Sequence, residues 1–201
     1  MLGKQYDISV KTIIVGDSGV GKTSLLVRYI RNKFDPKCPP TLGVEFMAKP
    51  IEIEKYNIEF QLWDTAGQEL FRAVTKGYYR GSIGAFICFD LTNHDSFLHV
   101  GRWLNDIIET ARKDCFYILV GNKSDLKAER QVPKEEAELF AQNNNMQYFE
   151  CSSLTGDNIN ELMLACLSLI KQMIDDGKFE LNPSEKDNII SEEKSEKSSC
   201  C

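Results

Sequence analysis

The sequence predicts an α/β fold: an open, mostly parallel six-stranded sheet with one antiparallel edge strand and helices on both faces. Short β-branched runs alternate with segments of helical apolar spacing over most of the chain. A glycine-rich loop joins the first strand to the first helix, and two early strand-like runs are separated only by a short polar turn. Such alternation is typical of a parallel sheet covered by helices, and the early hairpin supplies the antiparallel edge strand.

The first part of the chain predicts a strand, a loop, a helix and a hairpin. The first strand is predicted at 10–15 and the helix at 24–31, on either side of the glycine loop. Three prolines within 32–43 remove backbone donors, so this segment predicts a long irregular loop. The hairpin strands are predicted at 44–53 and 58–63. A second irregular stretch is predicted to follow at 64–76.

The rest of the chain alternates strand and helix three times. The predicted strands are 83–90, 116–121 and 146–151. The predicted helices are 96–112, 133–143 and 158–173, and the residues that cap or preset their starts are Asp95 or Ser96, Pro133 and Asp157. The apolar period stops after 176, which predicts a domain at 1–176 and a disordered tail at 177–201.

Composition excludes several classes of protein. The chain has 201 residues, 42% of them hydrophobic and 27% charged, which is typical of one globular domain. The net charge of -6 gives no basic footprint, so we expect no nucleic-acid partner. No apolar run reaches the roughly 20 residues that span a bilayer, and the first residues lack the apolar core of a signal peptide, so we expect a cytoplasmic chain. Five scattered cysteines predict reduced thiols, whereas Cys200 and Cys201 end the chain as a pair.

Residues 16–23 fit the pattern G-x-x-x-x-G-K-[ST] between the first strand and the first helix. Glycines let consecutive backbone amides point into one nest, and the helix start adds its positive end. In this pattern Lys22 reaches the outer phosphates and Thr23 offers a hydroxyl to magnesium. A glycine turn that binds nothing would have no use for this Lys-Thr pair. The predicted phosphate contacts are Ser18, Gly19, Val20, Gly21, Lys22, Thr23 and Ser24.

The segment Asn122-Lys123-Ser124-Asp125 follows a predicted strand and bears on which base is bound. Guanine presents two adjacent donors, and one ionised carboxylate accepts both, whereas adenine offers no such pair. We therefore expect Asp125 to select guanine, with the stem of Lys123 along the base plane. The alternative for this segment is an ordinary turn.

The segment from Asp64 to Gln68 closes the second hairpin strand beside the phosphate loop. Asp64 is placed to hold magnesium, and the backbone amide of Gly67 is placed to meet a γ-phosphate. Gln68 is the predicted catalytic residue, since it is placed to orient an attacking water. Thr41, in the proline-rich loop, offers a second hydroxyl to magnesium in the triphosphate state. Two loops would then depend on one phosphate for their order.

Together these motifs resemble the small Ras-like GTPases, and within them the Rab branch, over about residues 8–175 and the final cysteine pair. The segments that carry the resemblance are Thr41–Phe46, Trp63–Glu69, Tyr78–Gly81, Phe89–Asn93, Asn122–Leu126 and Cys151–Ser153. The resemblance implies the P-loop small GTPase fold. It also implies a GDP/GTP switch in vesicle trafficking that requires Mg²⁺ and hydrolyses GTP slowly.

The resemblance further implies roles for particular residues. Phe34 resembles the aromatic residue that packs against guanine, and Ser152, Ser153 and Leu154 resemble the loop whose amides meet the base. A nucleotide-dependent effector face is implied for Leu42, Gly43, Val44, Glu45, Phe46, Trp63 and Tyr78. The alternative for the three aromatic residues of this face is ordinary core packing. Cys200 and Cys201 resemble a double geranylgeranylation site, and two lipids are what stable anchoring of such a tail requires.

The implied partners are an exchange factor, a GTPase-activating protein, a GDP dissociation inhibitor, a Rab escort protein, a geranylgeranyl transferase and effectors. The resemblance implies a monomer held by its lipids on the cytoplasmic face of an intracellular membrane. Two other functions remain open at the level of sequence: a phosphotransferase, which would need lid arginines, and a scaffold that binds nucleotide without hydrolysis, against which Gln68 argues. His94 and His99 are predicted to be exposed helix residues.

Overall fold

The computed structural model describes residues 6–67 and 76–179, and within them six strands form one sheet. The strand order is β2-β3-β1-β4-β5-β6, with β2 and β3 antiparallel and every other neighbouring pair parallel. The strands are β1 (Ile8–Gly16), β2 (Val44–Ile53), β3 (Tyr56–Thr65), β4 (Gly84–Asp90), β5 (Phe116–Asn122) and β6 (Gln147–Glu150). The predicted sheet, with its antiparallel edge strand, is confirmed.

Helices cover both faces of the sheet. They are α1 (Lys22–Arg31), α2 (His94–Leu98), α3 (Val100–Thr110), α4 (Lys134–Asn143) and α5 (Ile159–Asp175). Helices α1 and α5 pack on one face through an apolar core that includes Leu26 and Leu162. Helices α2, α3 and α4 pack on the other face through a second core that includes Trp103 and Ala137. The sheet lies between these two cores, and the loops at its carboxyl edge extend from this packed support.

Burial along the strands follows their position in the sheet. Every residue of the central strand β4 is buried, because helices cover it on both faces. The edge strand β2 carries half-buried and exposed residues only. Its turn to β3 is shorter than predicted, since Glu54 adopts a left-handed φ of 54° and β3 already begins at Tyr56. The hairpin itself is confirmed, with Val44 paired to Thr65 at its far end.

The single helix predicted at 96–112 is wrong in both bounds and continuity. Asn93 caps α2, because its side-chain oxygen accepts from the backbone amides of Asp95 and Ser96 at 3.1 and 3.4 Å. The helical run is interrupted at His99 and resumes as α3. It ends at Thr110, since the next residue is extended and the amide of Arg112 bonds the carbonyl oxygen of Ser82 at 3.3 Å instead of a helix carbonyl.

The predicted irregular loop at 32–43 is confirmed, since it contains neither helix nor strand. Most of the second irregular stretch, 68–75, lies outside the described residues, as do 180–201 of the predicted tail. Gly177, with a φ of 68°, follows the end of α5. In the part of the chain that the structure describes, no helix is both long enough and apolar enough to cross a bilayer.

Candidate nucleotide-binding site

The predicted motifs meet at the carboxyl edge of the sheet. β1 ends in the glycine loop at Gly16, β3 ends beside Asp64, and β5 ends at Asn122. These strands are parallel, so the segments that follow them emerge at one edge. In the sheet, β3 lies on one side of β1 and β4 lies on the other side, so the strand order reverses at β1. Open α/β sheets bind ligands at such a point.

Two neighbouring cavities open at this edge. The first, of about 230 Å³, is lined by the glycine loop together with residues of the proline-rich loop, including Phe34 and Thr41. The second, of about 240 Å³, is lined by Asn122, Lys123, Asp125, Ser153 and Leu154 among others. The residues that line both cavities are Gly19, Gly21, Ser24 and Phe34. A ligand with an anionic end and a planar end therefore has adjoining space for each.

Lys22 is a buried cation at the centre of the glycine loop. Its ammonium donates to the carbonyl oxygens of Gly16 at 2.9 Å and of Asp17 at 2.8 Å, which wraps the loop around the lysine. Burial lowers the pKa of Lys22, and the nearby carboxylate of Asp64 acts in the opposite direction. The result is a positive charge fixed at the floor of the first cavity, where it attracts an anion.

Three side-chain oxygens converge beside this lysine. The hydroxyl of Thr23 donates to Oδ2 of Asp64. The hydroxyl of Thr41 lies 2.7 Å from the Thr23 oxygen and 3.3 Å from the same Oδ2, and its single proton serves one of these two acceptors at a time. Asp64 is fully buried, and its Oδ1 has no hydrogen-bond partner among the described residues. Burial raises the pKa of Asp64, while the bond from Thr23 and the charge of Lys22 oppose that shift.

This oxygen set fits Mg²⁺. Carboxylate and hydroxyl oxygens are the protein donors that magnesium takes, and it retains further positions for phosphate and water. Oδ1 of Asp64 is buried without a hydrogen-bond partner among the described residues, which costs folding free energy unless a cation or a water binds it. Among the described residues, 6–67 and 76–179, no group of three or more His, Cys, Asp and Glu side chains is placed to hold a metal ion. The predicted ligands Thr23, Thr41 and Asp64 thus lie together.

Gly67 contacts the glycine loop directly. A Cβ at this position would lie 2.4 Å from the backbone nitrogen of Ser18 and from the carbonyl carbon of Asp17. Only glycine fits, so the segment after β3 packs edge-on against the phosphate loop. Gln68, the predicted catalytic residue, lies outside the described residues.

Asn122 connects the two ends of the site. Its Nδ2 donates to the carbonyl oxygen of Val20 at 2.9 Å, and its Oδ1 accepts from the backbone amide and the hydroxyl of Ser153 at 3.2 and 3.1 Å. Gly21, at a φ of 91°, lies so close that a Cβ there would be 2.3 Å from Nδ2 of Asn122. One amide side chain thereby holds the glycine loop against the predicted base loop.

Asp125 and Lys123 are each held by a partner at the second cavity. The hydroxyl of Ser152 donates to Oδ1 of Asp125 at 2.6 Å, which orients the carboxylate. Lys123 has a left-handed φ of 66°, and its ammonium donates to Oδ2 of Asp90 at 2.5 Å. This ion pair fixes the lysine stem at the cavity wall, where the sequence predicted it to lie along a base.

Sequence reasoning missed Arg28. Its Nε donates to the carbonyl oxygen of Ser153 at 2.9 Å and its Nη2 to that of Leu154 at 2.5 Å. The arginine thus ties the predicted base loop to α1. A single arginine on an amphipathic helix gives no signal of such a contact, because its partners lie 125 and 126 residues away in the chain.

The prediction that both histidines are exposed helix residues is only partly correct, because both are half-buried and His99 lies in the break between α2 and α3. His94 pairs with Glu136 at 3.3 Å on the surface. His99 also has a half-exposed side chain, yet its Nδ1 lies 2.6 Å from Oδ2 of Asp17 in the glycine loop. The indole of Trp103 donates to the other oxygen of the same carboxylate at 2.8 Å.

The three aromatic residues of the implied effector face form one cluster at the surface. Phe46 and Trp63 have ring centroids 5.2 Å apart, and Trp63 and Tyr78 lie 6.0 Å apart. Phe46 and Tyr78 are exposed, as is the neighbouring Leu42 at 77% of its surface. Core packing is therefore the wrong explanation for Phe46 and Tyr78.

The described cysteines are free thiols, as predicted. Cys88, Cys115, Cys151 and Cys166 are buried, and Cys38 is half-buried. Burial raises the pKa of Cys115 and of Cys151 to about 12, so these thiols are unreactive near neutral pH. Cys200 and Cys201 lie outside the described residues.

Sheet order, glycine loop and converging hydroxyls define the class: a P-loop nucleotide-binding protein of the small GTPase type. A family model described as "Ras family" matches residues 11–172. The chain is 48% identical over 168 residues to "Ras-related protein Rab-11C" of Dictyostelium discoideum, covering 84% of this chain and 75% of that protein. It is 43% identical over 176 residues to "GTP-binding protein ypt3" of Schizosaccharomyces pombe, covering 88% and 82%. It is 44% identical over 172 residues to "Ras-related protein Rab-4" of Dictyostelium discoideum, covering 86% and 84%.

The chain therefore belongs to the Ras family, and within it to the Rab GTPases. It binds GTP and GDP, hydrolyses GTP and acts in vesicle trafficking together with regulators and effectors.

Proposed function

We propose that this Rab GTPase is a magnesium-dependent switch in which Thr41 reports the γ-phosphate, Asp125 selects guanine and Gln68 orients the attacking water. The observation that carries the proposal is the contact of Thr41 with Thr23 and Asp64. It brings the irregular loop 32–43 onto the phosphate site. A loop with neither helix nor strand is held there by a few polar contacts, so its position can depend on the ligand.

At the phosphate end, the amides of the glycine loop and the Lys22 ammonium bind the nucleotide phosphates. Thr23, Thr41 and Asp64 are the residues that would hold Mg²⁺, and Mg²⁺ when bound neutralises charge on the β- and γ-phosphates. Gly67 lies against the Asp17–Ser18 peptide of the glycine loop, and its backbone amide is the proposed contact of the γ-phosphate. When the γ-phosphate is lost, Thr41 and Gly67 lose the contacts proposed to hold them at the site. The loop 32–43 and the segment after β3 can then rearrange.

At the base end, the carboxylate of Asp125 accepts from the two adjacent donors of guanine. Ser152 keeps this carboxylate in one orientation, and Asn122 keeps the base loop at a fixed distance from the phosphate loop. Phe34 lines both cavities and is the proposed aromatic contact of the base. The backbone of Ser152, Ser153 and Leu154 completes the base site.

Hydrolysis is proposed to be slow without help. Gln68 orients water, but within 6–67 and 76–179 no arginine lines the phosphate cavity to stabilise charge in the transition state. A GTPase-activating protein would supply that charge. An exchange factor would open the two loops, and effectors would read the cluster Phe46, Trp63 and Tyr78 with the neighbouring Leu42 to Glu45.

Membrane attachment is proposed to use geranylgeranyl groups on Cys200 and Cys201, added with the help of a Rab escort protein and a geranylgeranyl transferase. A GDP dissociation inhibitor would extract the lipidated protein. The chain would then cycle between the cytoplasm and the cytoplasmic face of an intracellular membrane.

The first experiment is to identify the nucleotide that copurifies with the protein. The chain is purified in Mg²⁺ without added nucleotide and denatured, and the released small molecules are separated by chromatography. We expect about one GDP per chain, since a Mg²⁺-dependent guanine site with slow hydrolysis ends in the diphosphate state. Release of ADP would refute the role of Asp125, and release of no nucleotide would refute a tight phosphate site.

The proposed role of Gln68 is tested by Gln68→Leu. We expect single-turnover GTP hydrolysis to slow by about tenfold or more, and stimulation by an activating protein to be lost. The rate of GDP dissociation is the control, since Gln68 is not proposed to hold the diphosphate. Hydrolysis at the wild-type rate would contradict the role.

A further inference from the structure

Asp17 is an acidic residue within an anion-binding loop, where a free carboxylate would repel phosphate. Its side chain turns away from the loop and meets two donors at the start of α3. Trp103 Nε1 donates to Oδ1 at 2.8 Å, and His99 Nδ1 lies 2.6 Å from Oδ2. A carboxylate accepts and does not donate, so the proton of this second bond is on the histidine. Both carboxylate oxygens are thereby engaged by one helix.

The backbone of Asp17 is also fixed from two further directions. Its carbonyl oxygen accepts from the ammonium of Lys22 at 2.8 Å. The Cα of Gly67 packs against the peptide that joins Asp17 to Ser18. The conformation of this one peptide therefore depends on α3, on the phosphate-binding lysine and on the segment that follows β3.

Helix α3 also holds the far end of that segment. Lys76, the first described residue after 68–75, forms ion pairs with Asp106 at 3.4 Å and with Glu109 at 2.6 Å. Asp106 follows Trp103 by three residues, so both lie on one side of the helix. The helix thus contacts the glycine loop through Asp17, and it contacts Lys76, which follows residues 68–75.

We propose that His99 and Trp103 are positioning residues of the phosphate loop and act through Asp17. They hold the carboxylate away from the bound phosphates, and they fix the Asp17–Ser18 peptide in the orientation that nucleotide binding needs. Neither residue contacts the nucleotide. The proposal rests on the nucleotide site of the proposed function and adds to it a support that no sequence motif contains.

The test is a double-mutant cycle on the dissociation rate of a fluorescent GDP analogue in Mg²⁺. We expect His99→Ala and Trp103→Phe each to raise this rate about tenfold, since each removes a hydrogen bond to a charged group. In an Asp17→Ala background the same two substitutions should add no further effect, because the carboxylate they act through is gone. His99→Asn should restore most of the wild-type rate, since its amide can donate to Asp17.

His94→Ala is the matched control. His94 is the only other histidine of the chain and also pairs with a carboxylate, that of Glu136. We expect it to leave the GDP dissociation rate unchanged. Equal effects of His99→Ala with and without Asp17 would overturn the proposal, because the histidine would then act through the helix in general. Unchanged rates in both single variants would overturn it as well.

Trp103 is buried, so Trp103→Phe changes core packing as well as removing the hydrogen bond. A spectroscopic measurement therefore follows the hydrogen bond itself with Trp103 in place. The chain has two tryptophans, so its ¹H–¹⁵N spectrum has two indole signals, and Trp63→Phe assigns them. Asp17→Ala should shift the Trp103 signal upfield as the hydrogen bond is lost, and Asp157→Ala should not. An unmoved signal overturns the proposal. Wild-type protein that fails to bind GDP would overturn the proposed function too, whereas tight wild-type binding without coupling overturns this inference alone.

Discussion

The phosphate end and the base end of the site are held by different kinds of contact. At the phosphate end, Lys22 and Asp64 are buried charges, and two of the groups around them belong to loops, Thr41 and Gly67. At the base end, Asn122 lies at the end of a central strand, and its side chain bonds Ser153 in the neighbouring loop.

This difference separates the two tasks of a switch. Contacts from irregular loops can be lost when one phosphate leaves, so the phosphate end can change state. Contacts anchored on strand ends persist, so the base end can keep the same nucleotide class through the cycle. Asn122 joins the ends through its bond to Val20, so loosening this bond should affect both.

The largest expected effect is at the base end. Asp125→Asn removes the carboxylate that is proposed to accept from guanine but keeps an oxygen for the hydroxyl of Ser152. We expect GDP affinity to fall about ten-thousandfold and xanthosine diphosphate to bind more tightly than GDP, because a site built for specific hydrogen bonds rejects a mismatched base by such factors. Competition of both nucleotides against a fluorescent analogue measures this.

Asp157→Asn is the control for that substitution. Asp157 is exposed in the loop before α5, near the second cavity but not among the residues that line it. Its substitution should leave the preference for guanine intact. Guanine preference retained in Asp125→Asn would exclude Asp125 as the selecting residue.

The next largest effect tests the connection between the ends. Gly19 and Gly21 have similar left-handed φ angles of 80° and 91°, but only at Gly21 would a Cβ meet Asn122. We expect Gly19→Ala to lower the free energy of unfolding by about 1 kcal/mol through backbone strain. Gly21→Ala should lower it by about 3 kcal/mol, because overpacking adds to the same strain.

Chemical denaturation of both variants, each loaded with GDP and then stripped of it, checks this comparison. The excess effect of Gly21→Ala should come with faster GDP release, since the Asn122 side chain must move from Val20. Equal losses of stability in the two variants would mean that the contact with Asn122 contributes nothing.

The sequence predicted the phosphate end better than the contacts that support it. A glycine loop, a lysine and a hydroxyl residue at fixed spacing leave few other arrangements, and the structure brings Lys22, Thr23 and Asp64 together. Thr41 was also expected there, since the resemblance covers its segment. The alternation of strands and helices predicted a mostly parallel sheet covered by helices, because such alternation has one simple layered solution.

Tertiary pairs between residues far apart in the chain were not predictable. His99 and Asp17 are 82 residues apart, and Lys123 and Asp90 are 33 apart, and neither pair leaves a periodic signal. The break between α2 and α3 was missed for a related reason: the helical apolar spacing continues through His99. Gln68 and the cysteine pair stay predictions, since both lie outside 6–67 and 76–179.

A smaller effect separates the two hydroxyls at the phosphate end. Thr23 lies on α1, whereas Thr41 belongs to the loop 32–43. We expect Thr23→Ala to speed release of both GDP and a non-hydrolysable GTP analogue about tenfold, because one oxygen of the proposed magnesium site is lost in both states. Thr41→Ala should speed release of the GTP analogue only.

Chelation of Mg²⁺ is the control for this pair. Without the cation, wild type and both variants should release nucleotide at similar high rates, since the two hydroxyls are proposed to act through the metal. Equal acceleration of GDP and GTP-analogue release by Thr41→Ala would contradict a contact that depends on the γ-phosphate.

The smallest expected effect concerns the support of the base loop. Arg28 donates to two successive carbonyl oxygens, of Ser153 and Leu154, and a lysine cannot span both. Arg28→Lys should therefore raise the GDP dissociation rate about fivefold, as expected for a lost hydrogen bond in a partly exposed position. Arg31→Lys is the control, because it makes the same substitution at the exposed end of the same helix, and it should have no effect.

The dependence of GDP release on Mg²⁺ should stay as in wild type in both variants, because Arg28 supports the predicted base loop and not the phosphates. If Arg28→Lys instead changed the Mg²⁺ dependence, the two ends would be coupled through α1 as well as through Asn122, and the division of tasks between them would be weaker than the contacts imply.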